Sequence, residues 1–450
     1  MTIFKTKAVV QADGYLNKTP PFQFILLSLM FPLWGAAASL NDILITQFKA
    51  VFTLSNVASA FVQSAFYLGY FVLAIPASRV IQRTSYKVSI LIGLGLYMVG
   101  SLLFFPASQM GTYSVFLIAI FVLATGLSFL ETSANTYSSL LGPKQHATLR
   151  LNISQTFYPV GSILGIILGK YLIFGNGKSL AQQMAGMNAS EKLSFGHKAL
   201  AHTLLPYQFL LVVLGVAFII LILTQYPKKK HQPLTAGHPN AKLFDTLKYL
   251  WQNKPFKKGI LVEFFYVGMQ TAVWSFTIRL ALTLNSHFNE RYASNFMIYA
   301  YVAFFVGKFI ANLLIPKFGA GHVLLSYGVM GIVALLYVTL VHDVSALYAL
   351  VLVSGLFGPG WATIYSETIK TVQVPRHRET VGAILVMSII GGAILPLIQG
   401  AVADLTDMST SFSIDLIAFA VVAWFAKTMV RQEREAQQHD TKNQFAGEVI

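Results

Sequence analysis

Two carboxylates stand where a carboxylate is costly. Asp42 lies in "SLNDILITQF" (39–48), and Glu131 lies in "SFLETSAN" (128–135), with no other charge between Gly111 and Lys144. A charged side chain at the centre of a bilayer costs roughly 2.5–3.5 kcal/mol on insertion scales. Read as helices, the two stretches carry narrow polar stripes. Gly35, Ser39, Asp42 and Thr46 recur every three or four residues, as do Thr125, Ser128, Glu131, Asn135 and Ser138. A stripe on an otherwise apolar cylinder faces protein or water, not lipid. No Lys or Arg at similar depth in this part of the chain is placed to pair with either acid. An unpaired acid in such a place can be neutral, and can take up or release a proton as its surroundings turn from wet to dry. Asp42 and Glu131 therefore read as proton-handling residues, against the plainer reading of acids buried against a neighbouring helix.

Weaker polar signals accompany them. Gln155, Tyr158 and Ser162 share one helical face in "RLNISQTFYPVGS" (150–162), and Tyr266, Gln270 and Trp274 share one in "EFFYVGMQTAVWSF" (263–276). Amides read hydroxyl groups, and a flat ring covers the apolar face of a pyranose. Such aromatics also serve as packing or interface anchors. "FGPGW" (357–361) puts two glycines and a proline inside an apolar run, a break that frees backbone groups and often lines a cavity. Glu263, Lys308, Glu367 and Lys370 fall near run ends, where snorkelling or interhelical pairing accounts for them.

The elements that must position these residues are long apolar helices. The chain of 450 residues is 55% hydrophobic and 11% charged, where a soluble domain carries about 25% charged residues. Twelve apolar runs of spanning length follow one another, the first near 22–47 and the last near 411–430. This is an all-α integral membrane protein with twelve transmembrane helices in two six-helix bundles. The bundles take residues 1–226 and 257–430, a basic linker takes 227–256, and 431–450 form a tail. The net charge of +15 comes largely from "KKKH" (228–231), "RHR" (376–378) and "VRQER" (430–434). With both termini cytoplasmic these obey the positive-inside rule, which leaves nucleic acid unneeded as a partner. The first run is too long for a cleaved leader and serves as its own targeting element. Without a cysteine the chain has no disulfide or thiolate chemistry. No histidine pair has metal-ligand spacing, and no phosphate loop or nucleophile elbow is present. Neither a catalytic nor a metal site is expected, and the chain does not read as an enzyme.

An internal duplication is visible. "GSILGIILG" (161–169) matches "GAILPLIQG" (392–400), and "FYLGYF" (66–71) matches "FFVGKF" (304–309), at similar offsets. That is the signature of parallel repeats related by an axis along the membrane normal.

At these residues the sequence resembles the L-fucose:proton symporter family of the major facilitator superfamily. The resemblance runs from about Phe24 to Ala426. It is carried by "LNDILITQF", "QSAFYLGYF" with "IPAS", "FLETSAN", "LGP…RLNISQTF", "YVGMQTAVWSFTIR" and "IIGGAILP…GAVADL". It implies two bundles rocking about a central sugar site, with an essential Asp and Glu that match Asp42 and Glu131. Substrate-binding residues are then expected at Asn41, Glu131, Asn135, Gln155, Tyr158, Gln270, Trp274 and Tyr365. Three departures bear on the sugar. Tyr158 stands where the family has Asn, "SANTY" (133–137) where it has "AANPF", and "WATIY" (361–365) where it has "YPTIF". Glucose and galactose relatives carry Gln where Glu131 stands.

The expectation is import of L-fucose or a similar hexose or 6-deoxyhexose together with a proton. It needs no cofactor, and it is carried out by a single chain in a bacterial inner membrane. The competing readings are a proton antiporter exporting a hydrophobic or cationic compound, an uncoupled sugar facilitator, and a membrane sensor.

Overall fold

The structure, a computed structural model, describes residues 4, 6–11, 15–143, 146–174, 178–227, 243–372, 374 and 378–447. The basic run "KKKH" and residues 376–377 of "RHR" lie outside them.

In the first half, α1 (Pro21–Ser28) and α2 (Met30–Val51) form one span. The spans α3 (Asn56–Arg83), α4 (Tyr86–Met110), α5 (Tyr113–Leu140) and α6 (Ala147–Leu168) follow, α6 ending in a π-helical turn at Gly169–Ile173. A short α7 (Leu180–Met184) precedes the last span of this half, α8 (Ala189–Leu223). After the linker and a short α9 (Leu243–Gln252) come α10 (Lys254–Leu284), α11 (Glu290–Phe318) and α12 (Ala320–Leu340). The next span is broken into α13 (Ser345–Leu356) and α14 (Gly360–Lys370). The one after it is formed by α15 (Arg378–Met387) and α16 (Gly391–Leu405), and α17 (Ser413–Gly447) closes the chain. The expected tail after residue 430 thus continues α17.

Eleven spans are long and apolar enough to cross a membrane among the described residues. The twelfth, α10, is 31 residues long, and Glu263, Gln270 and Arg279 dilute its hydropathy because it faces protein along much of its length. Local chemistry sets the boundaries. Ser55, Ser85 and Asn253 cap α3, α4 and α10 by accepting a backbone N–H, which satisfies a donor that the first turn leaves free. Gly111, at φ +58°, ends α4 in the left-handed conformation that glycine adopts without strain.

The two halves pack alike. In the first, α2 lies on α6, α3 on α5 and α4 on α8. In the second, α10 lies on α16, α11 on α13 and α12 on α17. Each pairing recurs six spans later, as duplication requires. Glycine permits the closest approaches: a Cβ on Gly161 would sit 2.0 Å from the Pro32 carbonyl oxygen, and one on Gly307 would sit 1.9 Å from that of Gly355. The halves meet along α3 against α16 and α6 against α11.

An even number of spans in each half puts residue 21, the linker and the end of α17 at one end of the bundle. At the other end several polar links tie the halves. The Asp404 carboxylate of α16 accepts from Asn56 N, Asn56 Nδ2 and Val57 N, at 2.9, 2.7 and 3.0 Å. It thereby caps the first turn of α3 from the opposite half. Glu290 accepts from the Leu180 backbone at 2.9 Å, Gln182 donates to the Ser286 carbonyl at 2.8 Å, and Lys170 donates to Asn295.

Candidate functional site

A cavity of ≈ 130 Å³ opens between the halves. From the first half it takes Trp34 of α2, Tyr67 and Tyr70 of α3, Glu131 of α5, and Gln155 and Tyr158 of α6. From the second it takes Val267, Gln270 and Trp274 of α10, Phe304 and Lys308 of α11, and Trp361 of α14. Its walls are mostly aromatic. Tyr158 packs on Trp34 with ring centroids 4.9 Å apart, while Trp274 meets Tyr301 at 4.5 Å and donates from Nε1 to Ser354 at 3.2 Å.

Glu131 is 3% exposed, and its Oε2 has no hydrogen-bond partner among the described residues. The amides around it are only loosely held: Gln155 Nε2 reaches Asn135 Oδ1 at 3.4 Å, and Gln270 Nε2 reaches the Tyr266 hydroxyl at 3.4 Å. A buried carboxyl with a free oxygen, flanked by amides with spare capacity, lacks polar partners that a hydroxylated ligand could supply.

Asp42 has different surroundings. It is 5% exposed and accepts from Gln63 Nε2 at 2.7 Å, Ser275 Oγ at 3.2 Å and the Tyr301 hydroxyl at 3.3 Å. Asn41 donates to Gln63 Oε1 at 2.8 Å, which orients that amide toward the carboxylate. Arg279 acts electrostatically on Asp42. It also donates to Ser59 Oγ across the halves at 3.0 Å and to the Ser275 carbonyl, with its guanidinium carbon 3.4 Å from the Phe276 ring centroid. The acid without a cation in its own half thus meets one from the other half.

Of the residues expected in the substrate site, Glu131, Gln155, Tyr158, Gln270 and Trp274 share the cavity. Asn41 joins the Asp42 cluster, Asn135 holds Gln155 from behind, and Tyr365 stacks under the lining ring of Trp361 at 4.9 Å. The break at "FGPGW" does reach the cavity through Trp361, and the Tyr266 hydroxyl takes the freed Phe357 carbonyl at 2.6 Å.

Several expectations for the charged residues need correction. Lys308 does not snorkel from a helix end but lines the cavity, and Glu263 is fully buried with neither oxygen paired among the described residues. Glu367 and Lys370 pair within α14 and not between helices. The sequence held a usable sign for Lys308: the repeat places it at the counterpart of Tyr70, and both line the cavity. Gln63, Ser275 and Tyr301 carried no sign beyond membership of a familiar motif or an apolar run.

The Major Facilitator Superfamily profile matches residues 22–305. The L-fucose-proton symporter of Escherichia coli (strain K12) is 33% identical over 423 residues, covering 93% of this chain and 95% of that protein. The L-fucose-proton symporter of Haemophilus influenzae is 35% identical over 413 residues, 89% of this chain and 94% of that protein. The glucose/galactose transporter of Brucella abortus is 30% identical over 94% of this chain and 98% of its own length. Among solved structures, the transporter FucP in the outward conformation superposes with a TM-score of 0.69 at 32% identity, over 90% of this chain and 98% of that one. The chain belongs to the L-fucose–proton symporter family of the Major Facilitator Superfamily.

Proposed function

We propose that this protein imports a monosaccharide, L-fucose or a related hexose or 6-deoxyhexose, together with a proton by alternating access. The observation that carries this reading is Glu131, a carboxyl with an unpaired oxygen in a cavity of amides and aromatic rings shared by the two halves. Gln155 and Gln270 offer donors and acceptors to sugar hydroxyls, while Trp34, Tyr158, Trp274 and Trp361 supply flat apolar surface. Sugar binding fills the polar capacity left open around Glu131, and protonation of that carboxyl removes the cost of enclosing an anion.

Asp42 serves the opposite end of the pathway. It collects its proton when the links at the far end part, and the Gln63–Ser275–Tyr301 cluster re-forms as the halves close over it. Stepwise use of two acids suits their separate surroundings better than one shared proton.

In the orientation with both termini in the cytoplasm of a bacterium, the Asp404, Glu290, Gln182 and Lys170 links face outward, so this state is closed to the exterior. The transporter acts as a single chain in the inner membrane, with the proton as its coupling ion and no other cofactor. Export of a cationic compound fits poorly, because a basic side chain, Lys308, lines the cavity. Purified protein in liposomes, offered labelled L-fucose, D-galactose and D-glucose with and without an inward proton gradient, tests the proposal. Gradient-driven accumulation of at least one sugar is expected; equal uptake with and without the gradient would leave a facilitator.

A further inference from the structure

The short helix α9 has an apolar side that the protein covers only in part. Leu250 is buried with Phe256 of α10 and with Val381 and Leu385 of α15. Asn253, which follows α9, caps α10 and donates from Nδ2 to the Thr371 carbonyl at 3.0 Å. These contacts fix α9 on the second half, at the end bearing the chain termini. Phe244, Leu247 and Trp251 share one face of the helix beside Leu250. The protein leaves that face open, with Phe244 76% and Trp251 77% exposed. A helix with one apolar flank on protein and the next uncovered, at the end of a membrane bundle, lies in the plane of the membrane surface.

Basic side chains fix the depth of the open face. Lys257, at the end of the first turn of α10, holds its Nζ 5.4 Å from the Trp251 ring centroid. Lys258 holds its Nζ 5.4 Å from the ring centroid of Trp424 on α17. Both are cation–π distances. Because α10 enters the membrane from this end, the two rings stand at headgroup level, where tryptophan is enriched. Lys254 lies one turn before Lys257 and Lys258, and Lys427 lies one turn beyond Trp424. All four lysines are exposed, and none pairs with an acid among the described residues. The packing of α10 along α17 gathers them between the two rings.

We propose that Lys254, Lys257, Lys258 and Lys427, flanked by Trp251 and Trp424, bind the headgroup phosphate of an anionic phospholipid in the leaflet at this end, with the open face of α9 seated among its acyl chains. Charge selects the occupant. A lysine held over a ring keeps N–H donors free for phosphate oxygens. A zwitterionic headgroup brings its own cation into the patch, whereas an anionic one brings only the phosphate charge that the lysines lack. The apolar face selects a lipid over a soluble anion, because only a lipid also covers Phe244, Leu247 and Trp251.

The test uses the full chain in phosphatidylcholine liposomes in which a minor share of the lipid is brominated, either phosphatidylglycerol or phosphatidylcholine. Trp251 emission is the difference between the parent protein and Trp251→Phe, and the ratio of its quenching by the two lipids cancels changes in the emission itself. Brominated phosphatidylglycerol should quench more strongly at equal share. Lys257→Gln should lower that preference about fivefold, the factor carried by about 1 kcal/mol per lysine near the surface, and Lys257→Arg should keep it. Arg79→Gln, which removes an exposed cation of α3 at the same end, should leave it unchanged. Equal quenching by the two lipids would overturn the proposal, because the open face then meets bilayer without a headgroup site. Quenching by neither would overturn it by placing water or a second copy of the chain over Trp251. An Arg79→Gln effect as large as that of Lys257→Gln would overturn it by assigning the preference to the diffuse positive field of this end. Loss of the preference on adding inorganic phosphate would overturn it in favour of a soluble anion.

Discussion

Asp42 and Glu131 are equally buried and differently furnished. Asp42 has three side-chain donors, two of them from the opposite half, and a guanidinium within electrostatic reach. Glu131 has an oxygen with no donor at all among the described residues and a cavity in front of it. On the proposed cycle the difference separates two tasks. A carboxylate held by donors from both halves senses whether the halves are together, whereas one facing an open cavity senses whether the cavity is filled.

The largest expected effects come from removing either proton. Asp42→Asn and Glu131→Gln should each reduce proton-driven accumulation by about a hundredfold, the scale of a lost acid–base group. Calorimetry on the purified variants should separate them: Asp42→Asn keeps sugar binding, and Glu131→Gln weakens it. The reverse result would exchange the two roles.

Arg279→Gln should come next, because it strips Ser59 of its donor across the halves and Asp42 of its cation. The chain has no cysteine, so a single cysteine replacing the buried Ala60 reports opening at the far end. Its labelling should rise about tenfold, the factor carried by a charged hydrogen bond of about 1.5 kcal/mol. Unchanged labelling would show that the Asp42 cluster does not sense closure.

Tyr158→Asn should alter the ranking of L-fucose, D-galactose and D-glucose by about 1–3 kcal/mol in relative transport efficiency while leaving the Asp42 cluster intact. Competition uptake measures this, and an unchanged ranking would place the ring outside the sugar site. The smallest effect belongs to Tyr301→Phe. It removes the 3.3 Å bond to Asp42 and leaves the other two donors, so about 0.5–1.5 kcal/mol is at stake. A modest fall in the proton concentration needed for half-maximal uptake is the expected readout, since a donor favours the charged carboxylate and its loss eases protonation. A rise would reverse the sign of that bond's role.

Much of this arrangement was legible in the sequence because a membrane enforces simple rules. Twelve spans follow from hydropathy, and polar stripes at helical spacing mark the faces turned inward. The repeat follows from two matched segments. Partners drawn from the other half were not legible. Nothing near Asp42 in the sequence points to Ser275, Tyr301 or Arg279, which lie more than 200 positions away. Depth misled as well. Lys308 and Glu263 are near enough to run ends for snorkelling to account for them, and only the packing of α11 and α10 against the cavity shows that they point inward. Asn135 and Tyr365 do not line the cavity themselves but touch residues that do, Gln155 and Trp361 respectively.

The pairing of Lys308 with Glu131 in one cavity has an electrical consequence. If Lys308 keeps its proton throughout, the two charges cancel while Glu131 is ionised, and the loaded cavity carries one net positive charge once Glu131 is protonated. A membrane potential, negative inside, then acts on the loaded carrier as it turns inward and leaves the empty carrier alone. Each full charge crossing 100 mV is worth about 2.3 kcal/mol. Voltage should therefore act on exchange as well as on net uptake, since both move the loaded carrier, and exchange insensitive to voltage would show that Lys308 is neutralised elsewhere in the cycle. Symport of a proton with a neutral sugar moves one charge per cycle in any case; a single lysine standing where the first repeat has Tyr70 would assign that charge to the loaded step.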